Sequence, residues 1–153
     1  MAGNLSQRPA VAGDIDALYE IHRLAMRPCV KLVWGWDENW QANHFRKHFR
    51  PAFSRVICVD GQAIGMLVVE ERSDGIALVS IEIAPSHHGQ GIGTRLIQEL
   101  LQQAADRNVG VRLQVLKVNV RARSLYERLG FRAIGESPTH VQMQAEPPSP
   151  STR

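Results

Sequence analysis

Residues 81–95 most constrain what this chain can fold into, because a strand, a glycine-rich loop and a helix follow one another there. Residues 77–83 are mostly apolar or β-branched, which predicts a buried strand. Pro85 cannot donate a backbone hydrogen bond, so it ends that strand. The loop that follows carries a glycine at every second position: Gly89, Gly91 and Gly93. A helix start preceded by glycines offers unpaired N–H groups and partial positive charge, which predicts a phosphate-binding loop.

Two common nucleotide-binding motifs are excluded by the residues around this loop. A Walker loop ends in Gly-Lys-Ser/Thr, whereas Gly93 is followed by Thr94 without a lysine. A dinucleotide fingerprint needs a small residue where Leu96 stands and an acidic residue about 20 positions later. Residues 111–115 contain no acidic residue. The loop is therefore expected to bind a different phosphate-containing ligand.

Two blocks of sequence carry a family resemblance. The first is His88-Gly89-Gln90-Gly91-Ile92-Gly93. The second is a strand over residues 113–118 followed by Asn119, Tyr126, Gly130 and Phe131. In this order they resemble the acyl-CoA motif Arg/Gln-x-x-Gly-x-Gly/Ala and the Tyr-x-x-x-Gly-Phe helix of the GNAT superfamily of N-acyltransferases. One position departs from the pattern, because His88 stands where the family usually has arginine or glutamine.

The resemblance implies an α/β (α+β) fold with a mixed, mostly antiparallel central sheet, a splayed parallel strand pair and flanking helices. The order of strands and helices predicted along the chain agrees with this fold. Strands over residues 56–59, 63–70 and 76–83, joined by short turns, predict an antiparallel meander. A helix over residues 91–107 then predicts that the strand at 111–118 runs parallel to its predecessor.

Length and composition predict a single domain. At 153 residues the chain can bury one substantial core. We expect one domain over residues 1–144 and a disordered Pro/Ser-rich tail over residues 145–153.

Two amphipathic helices are predicted before the meander. The first is capped by Asp14 and ends at Pro28. His22 lies on its apolar face, where packing is favoured over metal ligation. The second helix is capped by Asp37. His44 and His48 share one of its faces, but without a third ligand we expect no metal site.

The resemblance implies acetyl-CoA as the cofactor. The backbone of Ile81 and Ile83 would pair with the pantetheine arm. Asn119 would hydrogen-bond the pantetheine, although a turn or cap role is the alternative. The loop residues would hold the pyrophosphate: His88, Gly89, Gln90, Gly91, Ile92, Gly93 and Thr94.

Two side chains are candidates for catalysis. Glu82 is a lone carboxylate in the strand before the loop, where partial desolvation would make it a better proton acceptor. A salt-bridged strand residue is the alternative. Tyr126 matches the family's general acid, which protonates the leaving sulfur and contacts the cofactor; a packing role is the alternative. The N–H of Ile83 is the expected oxyanion donor.

The acceptor pocket is expected near the tryptophan-rich segment, because aromatic faces beside carboxylates suit a protonated amine. Packing of these aromatics between helices and against the sheet is the alternative, and it is the favoured one. The candidate pocket residues are Trp34, Trp36, Asp37, Glu82 and His140.

These observations predict an N-acetyltransferase acting on a small-molecule or peptide amine by direct attack in a ternary complex. The alternative is a catalytically weak acyl-CoA-binding or sensing module, which His88 favours. A net charge of +3 is too small for a nucleic-acid footprint. No apolar run approaches the length of a membrane span and the first nine residues are polar, so we expect a cytoplasmic protein without membrane contact. Homodimers are common among similar proteins, so a homodimer is one expected oligomeric state of this chain.

Overall fold

The computed structural model describes residues 3–147. The helices are α1 (Ile15–Trp34), α2 (Glu38–His48), α3 (Ile92–Asp106) and α4 (Val120–Arg128). The strands are β1 (Leu5–Pro9), β2 (Ser54–Val59), β3 (Gln62–Arg72), β4 (Gly75–Ile83), β5 (Gly110–Leu116), β6 (Arg132–Glu136) and β7 (His140–Ala145). Of the predicted tail, Ala145 ends β7, and residues 148–153 lie outside the described residues.

Within residues 3–147 the strands form one seven-stranded mixed sheet in the order β1-β2-β3-β4-β5-β7-β6. The predicted meander is confirmed, because β2, β3 and β4 are consecutive neighbours. β4 pairs with β5 in parallel through Gly75, Ile76 and Ala77, as a helical crossover requires. β7 pairs antiparallel with both β5 and β6. The predicted fold class is therefore confirmed.

The chain divides into two compact units. The first consists of Met1–Val69 and Ser80–Ile92, and the second of Glu70–Val79 and Gly93–Arg153. β4 thus contributes its first half to the second unit and its second half to the first unit.

The core of the first unit lies where α1 packs on the sheet. Leu18 and Ile21 are three positions apart in α1, so they share one helix face, and both are buried. They belong to a cluster of buried residues: Ala10, Leu18, Ile21, Val56, Cys58 and Met66. Phe45 and Phe49 of α2 pack against this cluster.

α1 is longer than predicted, because it continues through Pro28 to Trp34. A proline inside a helix removes one N–H, the partner of the carbonyl four residues earlier. That carbonyl belongs to Leu24, a residue that is 43% exposed. The helix ends instead at Gly35, whose φ is +76° and whose N–H donates to the carbonyl of Lys31 at 3.1 Å.

Asp14 stands at the start of α1 as predicted, but its carboxylate serves the preceding turn. It accepts a hydrogen bond from the N–H of Val11 at 2.8 Å. It also accepts one from each terminal nitrogen of Arg8, both at 2.8 Å. These hydrogen bonds lower the pKa of Asp14 from 3.8 to about 2, and the contribution of Arg8 is the largest. Asp14 therefore ties the end of β1 to the beginning of α1.

The second unit is built on one face of α3 and on β5 and β7. Leu96, Ile97, Leu100 and Ala104 recur at helical spacing and are all buried. Val111 of β5 and Met143 of β7 have no exposed surface. β6 and β7 form a closing antiparallel hairpin, in which Arg132 pairs with Gln144.

We expect Gly65→Ala to destabilise the protein by about 1–3 kcal/mol through overpacking. A Cβ at this β3 position would lie 2.8 Å from the carbonyl oxygen of Glu82 and 2.8 Å from Cδ1 of Ile83. Urea unfolding measures the change. Gly13→Ala is the matched control, because a Cβ there meets no atom within 4 Å. Equal stability of the two variants would contradict the close approach.

We expect Asp14→Asn to destabilise the protein at neutral pH but not near pH 2. The folded pKa lies below 3.8, so the carboxylate contributes stability above about pH 4 and loses it as the pH falls to about 2. Because Arg8 is 49% exposed, solvent screening reduces the loss at pH 7 to about 1 kcal/mol. Urea unfolding from pH 7 to pH 2 measures it, with Asp74→Asn in an exposed turn as the control. If the difference in unfolding free energy between the wild type and Asp14→Asn did not narrow on acidification, the pairing of Arg8 with Asp14 would be refuted.

Candidate active site

Glu82, near the end of β4, is a buried carboxylate with both oxygens engaged. Its side chain is 7% exposed. One oxygen lies 2.9 Å from Nδ1 of His22 in α1. The other accepts the hydroxyl of Ser80 at 2.9 Å, since residues two apart in a strand point to the same face. All three residues belong to the first unit.

His22 lies among aromatic rings. The centroid distances from its ring are 5.1 Å to Phe45, 6.3 Å to Tyr19 and 6.3 Å to Trp36. We call Tyr19, His22, Trp36 and Phe45 the aromatic cluster. His22 therefore packs against aromatic rings, as expected, and in addition it contacts the Glu82 carboxylate. The sequence carries no signal for its contact with Glu82, because 60 residues separate the two.

Glu38, the first residue of α2, holds two members of the aromatic cluster. It accepts hydrogen bonds from the hydroxyl of Tyr19 and from Nε1 of Trp36, the latter at 3.2 Å. Burial, followed by the hydrogen bond to Glu38, raises the pKa of Tyr19 to about 12. The same hydrogen bond lowers the pKa of Glu38. Glu38 was not among the residues predicted for the acceptor pocket, although it directly follows Asp37 beside the tryptophans.

The residues predicted for the acceptor pocket have different surroundings. Trp36 belongs to the aromatic cluster, whereas Trp34 is 60% exposed at the end of α1. Asp37 accepts the N–H of Trp40 at 2.9 Å, which confirms its predicted capping of α2. His140 lies in the second unit, where its Nδ1 is 2.8 Å from the hydroxyl of Thr139.

The glycine loop leaves its backbone uncovered by side chains. Gly89 and Gly91 have φ of +75° and +77°, a region that residues with a Cβ rarely adopt. A Cβ at either position would meet no protein atom within 4 Å. α3 begins directly afterwards at Ile92, which is buried. The loop therefore combines open space with the N–H groups of a helix start.

His88 binds back to the strand that precedes the loop. Its Nε2 donates to the carbonyl oxygen of Ile83 at 2.7 Å. The family resemblance implies that the backbone of Ile83 pairs with pantetheine, so this hydrogen bond uses a carbonyl group that was expected to face the cofactor. Ile81 and Ile83 are both half-buried.

The second unit holds the remaining predicted residues. Asn119 precedes α4, and its side-chain oxygen accepts the N–H of Ala122 at 3.2 Å, so it caps the helix. Tyr126 is buried, and its ring centroid lies 5.7 Å from that of Phe131. The N–H of Phe131 donates to the carbonyl of Tyr126 at 3.0 Å.

A cavity of about 260 Å³ in the second unit lies among the ends of β3, β4, β5 and β7. Arg72, Asp74, Arg112 and Glu146 are among its lining residues, and none of the sequence-predicted site residues lines it. It is polar and open, and it is not part of the candidate active site.

Over residues 3–147 no group of three or more His, Cys, Asp or Glu side chains could hold a metal ion. The rings of His44 and His48 lie 4.1 Å apart on α2. None of the helices in the same range has both the length and the apolar character that a membrane span needs.

Comparison with known proteins agrees with this fold. Residues 15–131 match the family model described as the acetyltransferase (GNAT) family. N-alpha-acetyltransferase 40 of Saccharomyces cerevisiae is 37% identical over 151 residues, covering 83% of this chain and 50% of that protein. The chain thus spans half the length of this yeast relative. The ribosomal protein bS18-alanine N-acetyltransferase of Haemophilus influenzae is 27% identical over 123 residues, covering 80% and 78%.

Among solved structures, the PaiA N-acetyltransferase from Thermoplasma acidophilum in complex with coenzyme A has a TM-score of 0.78 at 16% identity, covering 94% of this chain and 99% of that chain. At this identity the likeness concerns the fold alone. The family model, however, extends over most of the chain, and its range includes the glycine loop, Glu82 and Tyr126. The chain therefore belongs to the GNAT acetyltransferase family.

Proposed function

We propose that this chain is an N-acetyltransferase that moves an acetyl group from acetyl-CoA to a primary amine by direct attack in a ternary complex. The observation that carries the proposal is the glycine loop, in which two left-handed glycines with open space above them directly precede α3. Membership in the family supports acetyl transfer as the reaction class.

The loop fits the phosphates of coenzyme A. The uncovered backbone at Gly89 and Gly91 admits a bulky anion, and the N–H groups at the start of α3 are suitable donors to it. Residues 88–94 would hold the pyrophosphate, and the backbone of Ile81 and Ile83 would accompany the pantetheine arm. When bound, acetyl-CoA supplies an acetyl group activated as a thioester.

Glu82 provides the negative charge that draws a proton from the acceptor's ammonium group. An amine must lose that proton before it can attack, and a positioned carboxylate promotes the loss. Burial of Glu82 supports this role, because a charge in a partly dehydrated site acts more strongly than one in water. The N–H of Ile83 is proposed as the donor to the developing oxyanion.

Tyr126 is proposed to protonate the leaving sulfur. With acetyl-CoA bound, the amine nitrogen would bond to the acetyl carbon as the carbon–sulfur bond broke, and Tyr126 would supply its phenolic proton to the sulfur. The second proton of the nitrogen restores the phenol, so the net products are the amide and a free thiol. Burial of the Tyr126 ring against Phe131 supports a fixed position for the phenol.

The acceptor is proposed to be the primary amine of a small molecule or a peptide. Trp36 offers an aromatic face in the same unit as Glu82, and aromatic faces attract cations. The Haemophilus relative is named for an alanine of a ribosomal protein, which supports peptides with a free N-terminus as members of a test panel. Trp34, Asp37 and His140 stay candidates for contacts with the acceptor.

We expect Gly91→Ala to weaken the affinity for coenzyme A at least tenfold, because a Cβ disfavours the left-handed backbone and fills space beside the loop. Isothermal titration calorimetry measures the dissociation constant. Gly61→Ala is the matched control: Gly61 also has a positive φ, of +81°, but lies in the β2–β3 turn. Both variants should lose similar stability, and only Gly91→Ala should lose affinity. Unchanged binding by Gly91→Ala would remove the loop from the cofactor site.

We expect Tyr126→Phe to lower kcat on the order of 100-fold, the usual contribution of a general acid, while the affinity for coenzyme A stays unchanged. Thiol release from acetyl-CoA with a mixed panel of amines measures turnover. A variant as fast as the wild type would assign Tyr126 to packing. Binding of coenzyme A without turnover of any amine by the wild type would favour the alternative, an acyl-CoA-binding module.

A further inference from the structure

The contact between His22 and Glu82 places a second titratable group beside the carboxylate whose negative charge we propose promotes deprotonation of the amine. The Nδ1–Oε1 distance is 2.9 Å. His22 is on α1 and Glu82 on β4, so packing of the first unit creates the pair. This inference rests on the proposed function and concerns the same site.

The hydrogen bonds of Glu82 determine which His22 nitrogen carries a proton. Ser80 donates its hydroxyl to one carboxylate oxygen, and the other oxygen faces Nδ1. An ionised carboxylate only accepts hydrogen bonds, so Nδ1 carries the hydrogen and donates it. In neutral His22 the lone pair is then on Nε2, which makes Nε2 the basic nitrogen.

Exposure separates the two members of the pair. The side chain of Glu82 is 7% exposed and that of His22 is 20% exposed. Glu82 also already accepts two hydrogen bonds. An amine arriving from solvent therefore meets the imidazole more readily than the carboxylate.

Among the described hydrogen bonds, Glu82 is the side-chain partner of His22. Phe45 and Trp36 lie near the imidazole and restrict its movement. Glu38 is the other carboxylate beside the cluster, but it already accepts hydrogen bonds from Tyr19 and Trp36. No contact connects Glu38 to His22 among the described hydrogen bonds.

We propose that His22 is the catalytic base of this acetyltransferase, accepting the amine proton at Nε2, and that Glu82 is a positioning residue that holds Nδ1–H and stabilises the imidazolium. An N–H bond of the ammonium group breaks, and its proton moves to Nε2. The electron pair stays on nitrogen and becomes the nucleophile. Release of the proton from Nε2 to water after acetyl transfer restores neutral His22.

The test compares the wild type with His22→Asn, Glu82→Gln and His44→Asn in the full chain. The amide nitrogen of Asn occupies nearly the place of Nδ1, so His22→Asn keeps a donor for Glu82 and removes only Nε2. Glu82→Gln keeps an acceptor for Nδ1–H and removes only the charge. His44→Asn is the control on α2: burial, then the neighbouring His48 and His22, lowers the pKa of His44, so it could otherwise contribute to a pH profile.

We expect His22→Asn to lower kcat/KM for the amine on the order of 100-fold at neutral pH. The rising limb of the wild-type pH–rate profile should disappear in this variant. Glu82→Gln should reduce kcat/KM less than His22→Asn does and keep the rising limb. The titratable groups around His22 are Glu82 on β4, Tyr19 on α1, and Glu38 and His44 on α2, and His44→Asn should keep the wild-type profile.

Two results would overturn the inference. One is a His22→Asn variant with the wild-type rate and limb while Glu82→Gln loses both, since that makes Glu82 the base. The other needs no turnover: long-range proton–nitrogen NMR on histidine-labelled protein, assigned with His22→Asn, should find the hydrogen on Nδ1, and a hydrogen on Nε2 would contradict the pairing. Absence of coenzyme A binding and of turnover in the wild type would instead refute the proposed function, so the two failures are distinguishable.

Discussion

Burial of the Glu82 carboxylate is the constraint on which the candidate site depends. A carboxylate removed from water costs several kcal/mol unless charged or polar partners compensate for it. Here the partners are Ser80, two residues earlier in β4, and His22, from α1. Because loss of the His22 contact would leave a buried charge poorly solvated, this contact favours one arrangement of α1 against the second half of β4. The buried Glu82 carboxylate thus supports both the proposed chemistry and the packing of the first unit.

Hydrogen bonds to carboxylates also organise the surroundings of the aromatic cluster. Glu38 caps no helix, yet it orders the segment between α1 and α2 by accepting hydrogen bonds from Tyr19 and Trp36. Asp37, the neighbouring residue, is used for capping α2. Two adjacent acidic residues therefore have different roles, and the difference follows from backbone direction: one carboxylate points to the helix N-terminus and the other to α1.

Much of the fold could be predicted from the sequence because its signals are local. The Asp60-Gly61 turn, the strand before Pro85 and the helix after the glycine loop each follow from the preferences of residues adjacent in the chain. The length of α1 could not be predicted in this way. Pro28 is a reliable helix breaker in isolation, but an exposed position tolerates the loss of one hydrogen bond. The end of this helix depends on Gly35 instead.

For the site, the sequence by itself determined the glycine loop, the lone carboxylate Glu82 and the Tyr126 helix, because each lies within a short motif with its own periodicity and chemistry. It could not determine the partner of Glu82 or the hydrogen bond of His88. Those depend on which surfaces meet after folding: His22 reaches Glu82 across 60 residues of chain, and His88 turns back to Ile83. Side-chain hydrogen bonds are directional and short-ranged, so only the tertiary structure, which sets distances between segments remote in sequence, decided them.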